Sequence, residues 1–173
     1  MTNSLQNYHR LRDKVDNLCR GITKLLGDSL ACKTGCSSCC LQISVFPVEA
    51  ASIIEILKKR PPEELLLLKR NLSKWDKEDR CTFLSDDLCL IYENRPIICR
   101  THGLPILLAE QNIRRIDICP KNCNNISQLP GEAVIDLERL NIMLTAVNAL
   151  YMAELSSKLP DRIKLSDLVT MLP

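Results

Sequence analysis

Nine of the ten cysteines lie between residues 32 and 123, in three blocks: Cys32, Cys36, Cys39 and Cys40; Cys81, Cys89 and Cys99; Cys119 and Cys123. Thiols at this density need disulfides, a metal or deep burial, so they constrain the fold more than any other feature. The N-terminal stretch MTNSLQNYHRLRDK has no apolar centre, which reads as no secretory signal. Apolar runs such as Leu65 to Leu68 are far too short to span a bilayer. The expectation is a cytoplasmic chain, away from membranes, whose thiols stay reduced; there a cysteine pattern points to metal or catalysis.

The rest of the composition supplies a scaffold. At 173 residues the chain is expected to be one domain over 1–173. The 29 Leu and 16 Ile must build the core, which suits helices. Lys and Arg number 23 against 21 Asp and Glu, a net charge of +2, which gives no support to nucleic-acid or membrane-surface binding. The six aromatics are too scattered for a base-stacking platform.

Apolar spacing predicts a helix over 4–30, with Leu5, Tyr8, Leu11, Val15, Leu18, Ile22 and Leu25 in phase. Pro47 suits the first position of a second helix, over 48–60, which Pro61-Pro62 stops. A third runs from Pro62 to Glu78, with Leu65, Leu68, Leu72 and Trp75 on one face. Asp86-Asp87 reads as a turn between short apolar stretches, and LPILLA and IRRIDI as a hairpin around Gln111-Asn112. A long helix is expected from Glu132 to Leu155 and a short one over 166–172. The fold class is mainly α: four to five helices around cysteine-rich metal-binding loops, with room for one small β-hairpin.

The first block is C-x3-C-x2-C-C, around Gly35 and small polar residues. Thiolates two or three residues apart on a curling loop can converge on one centre. The vicinal pair Cys39-Cys40 argues against ordinary core packing. All-thiolate sites suit zinc and iron–sulfur clusters alike, and nine thiols exceed the needs of one four-ligand centre. Only Cys36 to Cys39 has the C-x2-C spacing of zinc knuckles, so the spacing leans to a cluster loop. A radical-SAM loop is set aside, because Ser38 stands where an aromatic is usual and no glycine-rich segment follows. There is no G-x-S-x-G, no phosphate-binding G-x-x-x-x-G-K and no H-E-x-x-H.

These blocks resemble the YkgJ-like cysteine-cluster family, described as zinc- or iron-chelating proteins. The resemblance runs through Cys32, Cys36, Cys39, Cys40, Cys81, Phe83, Leu84, Cys89, Ile91, Tyr92, Arg95, Pro96, Cys99 and Arg100, and closes at Cys119-Pro120. A similar domain accompanies bacterial flagellin lysine methylases, where it is associated with an iron–sulfur cluster, so the resemblance implies iron as a candidate. It also singles out Arg95 and Arg100, which flank Cys99 and would offset the charge of a thiolate centre as cofactor-binding groups. His102, three residues after Cys99, is more readily a hydrogen-bonded neighbour than a ligand, His9 reads as a surface residue and Cys19 as a buried thiol.

The expected function is binding an iron–sulfur cluster of the [4Fe–4S] type through the nine cysteines Cys32, Cys36, Cys39, Cys40, Cys81, Cys89, Cys99, Cys119 and Cys123. Its role would be redox, electron transfer or accessory, with a protein redox partner. The alternatives are a structural Zn2+ adaptor module and a metal-dependent enzyme of unassigned substrate.

Overall fold

The computed structural model describes residues 3–33, 35–73, 79–110 and 113–171. Helix α1 (Asn3–Leu26) buries Leu5, Tyr8, Leu11, Val15, Ile22 and Leu26 along one stripe. Gly27, with φ +48°, turns the chain out of the helix four residues before the expected end. A short strand, β1 (Ser44–Val45), leads into α2 (Pro47–Leu57), and α3 (Pro62–Ser73) follows. Pro47 occupies the first turn of α2, and the Phe46 N–H donates to Glu49 Oε2 at 3.0 Å, which caps it. Trp75 and the end expected for the third helix lie outside the described residues.

Strands β2 (Leu84–Ser85) and β3 (Leu88–Cys89) form a hairpin. Asp86 and Asp87 both take positive φ, 48° and 61°, as a tight two-residue turn requires. Helix α4 (Ile97–Thr101) precedes a second hairpin, β4 (Ile106–Glu110) and β5 (Ile113–Asp117), whose tip residues Gln111 and Asn112 lie outside the described residues. Strand β6 (Ile135–Asp136) pairs parallel with β4. That pairing delays α5 (Leu137–Ala153) by five residues from the expected start; the Asp136 carboxylate caps it by accepting from the Arg139 N–H. Strand β7 (Ile163–Lys164) pairs antiparallel with β1, and α6 (Leu165–Thr170) closes the chain.

The architecture is mainly α, with six α-helices among the described residues, one more than the expected four to five. The described residues also form three small sheets where one hairpin was expected. No helix among the described residues is long and apolar enough to cross a membrane.

Two apolar clusters hold the elements together. The first joins the α1 stripe to Leu140 and Leu144 of α5, Val48 of α2 and Ile97 of α4. The second gathers Ala50, Ile53 and Leu57 of α2, Leu68 of α3, Phe83, Ile91, and Leu165 and Leu168 of α6. Each large side chain so buried stabilises the fold by about 1.5–3 kcal/mol before entropy is counted. Helix α2 presents one face to each cluster. The cysteines divide between them: Cys19 and Cys123 pack on the first, Cys81 and Cys89 on the second.

Candidate metal centre

Seven of the nine expected cysteines line one cavity of about 480 Å³: Cys32, Cys36, Cys39, Cys40, Cys81, Cys89 and Cys99. Cys119 and Cys123 do not line it, nor does Cys19. All ten cysteines are free thiols.

Backbone pairing brings the separated blocks together. The Cys81 N–H donates to the Cys40 carbonyl at 3.0 Å, and Leu41 bridges Arg80 antiparallel. The β2–β3 register then sets Cys89 opposite Leu84, while the Leu84 N–H donates to the Cys81 carbonyl at 3.0 Å. The hairpin thereby brings Cys89 close enough to influence the Cys81 thiol. A polar knot locks this arrangement. Arg80 donates to the Ser37 carbonyl at 3.1 Å and the Ser37 hydroxyl at 2.9 Å, and that hydroxyl also bonds the Asp87 carboxylate. Ser37 is buried, so the first cysteine loop is pinned to the tip of the second block.

Cys99 arrives on α4. Buried Glu49 caps that helix from α2: its Oε1 accepts from the Ile97 N–H at 2.9 Å. Burial pushes the Glu49 carboxyl up, opposed by its two backbone donors from Ile97 and Phe46. One carboxylate thus caps two helices, α2 and α4, and orients the second toward the cavity.

Electrostatic neighbours sort the thiols by depth. Burial pushes Cys99 up to about 12, and the Cys81, Cys89 and Cys40 thiols add to the shift. Burial pushes Cys81 up to about 11, with Cys89 and Cys40 adding. Cys40 is raised by burial and then by Cys89, and Cys89 by burial. These four form a deep group, and a metal that binds them must displace protons. Nearer the surface, Cys32 is raised by burial and then by Cys36, Cys39 and Cys119. Cys36 is lowered, first by the Ser38 hydroxyl 3.9 Å from its sulfur and then by Lys121, whose Nζ lies 3.9 Å away.

The two arginines have different surroundings. Arg95 lines the cavity, donates to the Cys99 carbonyl at 3.4 Å and lies 3.7 Å over the Tyr92 ring. Its charge lowers Cys40, Cys89 and Cys99, three of the deep thiols. The buried Arg100 directs its donors to both Asp16 carboxylate oxygens and to the Arg95 and Glu93 carbonyls, tying α1 to the turn before α4. His102 is exposed at the end of α4 and also lines the cavity. His9 is only partly exposed, and its Nε2 lies 3.1 Å from the Ser52 hydroxyl of α2. The Cys19 thiol donates to the Arg100 carbonyl at 3.6 Å, and Cys123, at φ 58°, donates its N–H to the Ser29 carbonyl.

The donor chemistry fits a thiophilic metal group: soft sulfurs, none in a disulfide, around a space wide enough for more than one ion. Among the described residues, no three His, Cys, Asp or Glu side chains converge closely enough to hold a single ion as they stand. The thiols stand around the walls of the cavity.

Residues missed in the sequence are Glu49, Ser37, Arg80 and Asn122. Each acts by joining segments far apart in the chain, which leaves no spacing signal.

A family model matches residues 31–124: CxxCxxCC, a putative zinc- or iron-chelating domain. No curated protein and no solved structure matches the chain.

Proposed function

The chain belongs to the zinc- or iron-chelating CxxCxxCC family, and we propose that it holds an iron–sulfur cluster of the [4Fe–4S] type through the deep thiolates Cys40, Cys81, Cys89 and Cys99. The observation that carries the reading is one cavity lined by seven free thiols drawn from two sequence blocks. Thiols spread around walls suit a body several atoms wide better than a bare ion, which needs its ligands to meet at a point. When bound, the cluster would supply one-electron chemistry, in an electron-transfer or accessory role. Arg95 is the group placed to offset its negative charge. The half-exposed Leu41, Leu88, Tyr92 and Ile98 at the cavity would restrict water around the sulfurs.

The test is chemical analysis of protein purified without oxygen. Iron with acid-labile sulfide, and a cluster spectrum by absorption and electron paramagnetic resonance, support the reading. Stoichiometric zinc without sulfide would replace it with the zinc module.

A further inference from the structure

Helix α5 is apolar on two sides. Leu140 and Leu144 bury one side against the α1 stripe. On the other side Ile142, Met143 and Leu150 are 62%, 46% and 55% exposed, and Thr145, Ala146, Ala149 and Ala153 are exposed with them. A helix that is apolar all round is ordinarily buried all round. Beside this face, α5 and strand β4 border an open groove of about 690 Å³, walled by Leu108 and Ala109 on one side and by Ile142, Ala146 and Ala149 on the other. No residue of the groove lines the cysteine cavity, so this face is separate from the candidate metal centre.

The order of side-chain sizes selects the occupant. Ile142, Ala146 and Leu150 lie four residues apart and form one ridge along the helix, large at both ends and small at its centre. Thr145, Ala149 and Ala153 form the next row, a shallow furrow of small side chains. Turned end for end about Ala146, the ridge keeps its profile, so it fits a copy of itself: Ile142 meets the second copy's Leu150, and the small centres let the helices approach. The charges agree. Exposed Arg139 and Glu154 stand at opposite ends of the face, with no charged residue between them in the helix. Arg139 reaches its own Asp136 only at 3.7 Å and is 84% exposed, while Glu154 is bonded through Oε2 to the Ser4 hydroxyl. An antiparallel pair brings each Arg139 to the second copy's Glu154, whereas a parallel pair would set like charges together. Strand addition is the other route to self-association, and it is opposed. Edge strand β5 is exposed along its length, but Arg114 and Arg115 in its middle would face the same arginines of a second strand.

We propose that the exposed face of α5 docks on the same face of a second copy of this chain, the two helices antiparallel about a two-fold axis beside Ala146. The helix has 17 residues, so the face is about 25 Å long and about 10 Å wide. Even with the groove wall it is smaller than the side of a standard interface, about 800 Å², so the dimer is a reversible one that forms as concentration rises. The contact uses no residue of either cysteine cavity.

The test is sedimentation velocity of the full chain over a wide concentration range, in reductant so that no thiol links the copies. The parent should pass from monomer to dimer as concentration rises. Ala146→Glu sets two carboxylates together at the axis and should weaken the dimer by about a hundredfold or more. Its position is exposed, so the Tm of dilute protein should match the parent's. Ile142→Gln is a second variant of the face and should weaken the dimer with the dilute Tm again unchanged. Arg139→Glu should weaken the dimer by about tenfold, and adding Glu154→Arg should restore it. A parent that stays monomeric throughout, or a dimer indifferent to both Ala146→Glu and Ile142→Gln, would overturn the proposal. So would a monomer whose Tm falls in Ile142→Gln, because the chain would then cover this face itself. Failure of the charge exchange to restore the dimer would overturn the antiparallel pairing.

Discussion

Arg100 gives the sharpest test of how the fold positions Cys99. Its side chain is 4% exposed and meets Asp16 at 2.6 Å, while the Asp16 side chain is 31% exposed. The same guanidinium holds the Arg95 and Glu93 carbonyls at 2.7 and 2.5 Å. Arg100→Ala therefore leaves two carbonyls and a carboxylate without their donor. Removing one partner of a buried pair costs about 3–5 kcal/mol, and Asp16, being partly exposed, can rehydrate, which favours the lower end. We expect a loss of about 3 kcal/mol, or about 6–12 °C in Tm for a chain of this length. Asp16→Asn, which keeps both carbonyl bonds, should cost about 1 kcal/mol. Arg100→Lys should not restore the parent, because an ammonium cannot hold the carboxylate in a fork and reach both carbonyls. Urea and thermal unfolding in reductant read all three variants. A loss below about 1 kcal/mol in Arg100→Ala, or full rescue by lysine, would refute the reasoning.

Three further expectations follow from named contacts. Glu49→Gln sets an amide N–H against a backbone N–H, so it should cost about 1–3 kcal/mol and lower metal content by releasing α4; unchanged unfolding and metal would refute the cap. Burial lowers the His9 pKa below 6.5. A depressed value means that the stability it contributes is present above 6.5 and lost as pH falls through the folded value, so between about pH 7 and about pH 5 the parent should lose stability faster than His9→Gln; parallel curves would refute this. Cys19→Ser should keep the parent's metal content and lose at most about 1 kcal/mol of stability, since its thiol faces the Arg100 carbonyl and not the cavity. Metal loss in that variant, read by elemental analysis, would give α1 a ligand.

The sequence is legible where a local rule decides and opaque where distant groups meet. The stripe from Leu5 to Ile22 declares α1, and Pro47 declares the start of α2, because both signals lie within a few residues. The Asp86-Asp87 turn is legible for the same reason. The start of α5 is not, because Ile135 and Asp136 are drawn into a parallel pair with β4, nearly thirty residues upstream in the chain. The cysteine blocks were visible as a metal signature, but spacing could not separate Cys39 from its neighbour Cys40. The backbone bond from the Cys81 N–H to the Cys40 carbonyl and the Asn122 side-chain bonds to residues 31 and 103 are all long-range, so no spacing announces them. Arg95 and Arg100 look equivalent on either side of Cys99; only their partners distinguish them, one lining the cavity and the other tied to α1.

Iron and acid-labile sulfide per chain, measured in anaerobically purified parent and Cys99→Ser, test most directly whether thiols from both cysteine blocks hold one iron–sulfur cluster. We expect iron and sulfide in equal amounts in the parent and loss of both in Cys99→Ser, with a lowered Tm because binding free energy is part of folding free energy. Full iron, full sulfide and an unchanged Tm in Cys99→Ser, or zinc alone in the parent, would contradict it.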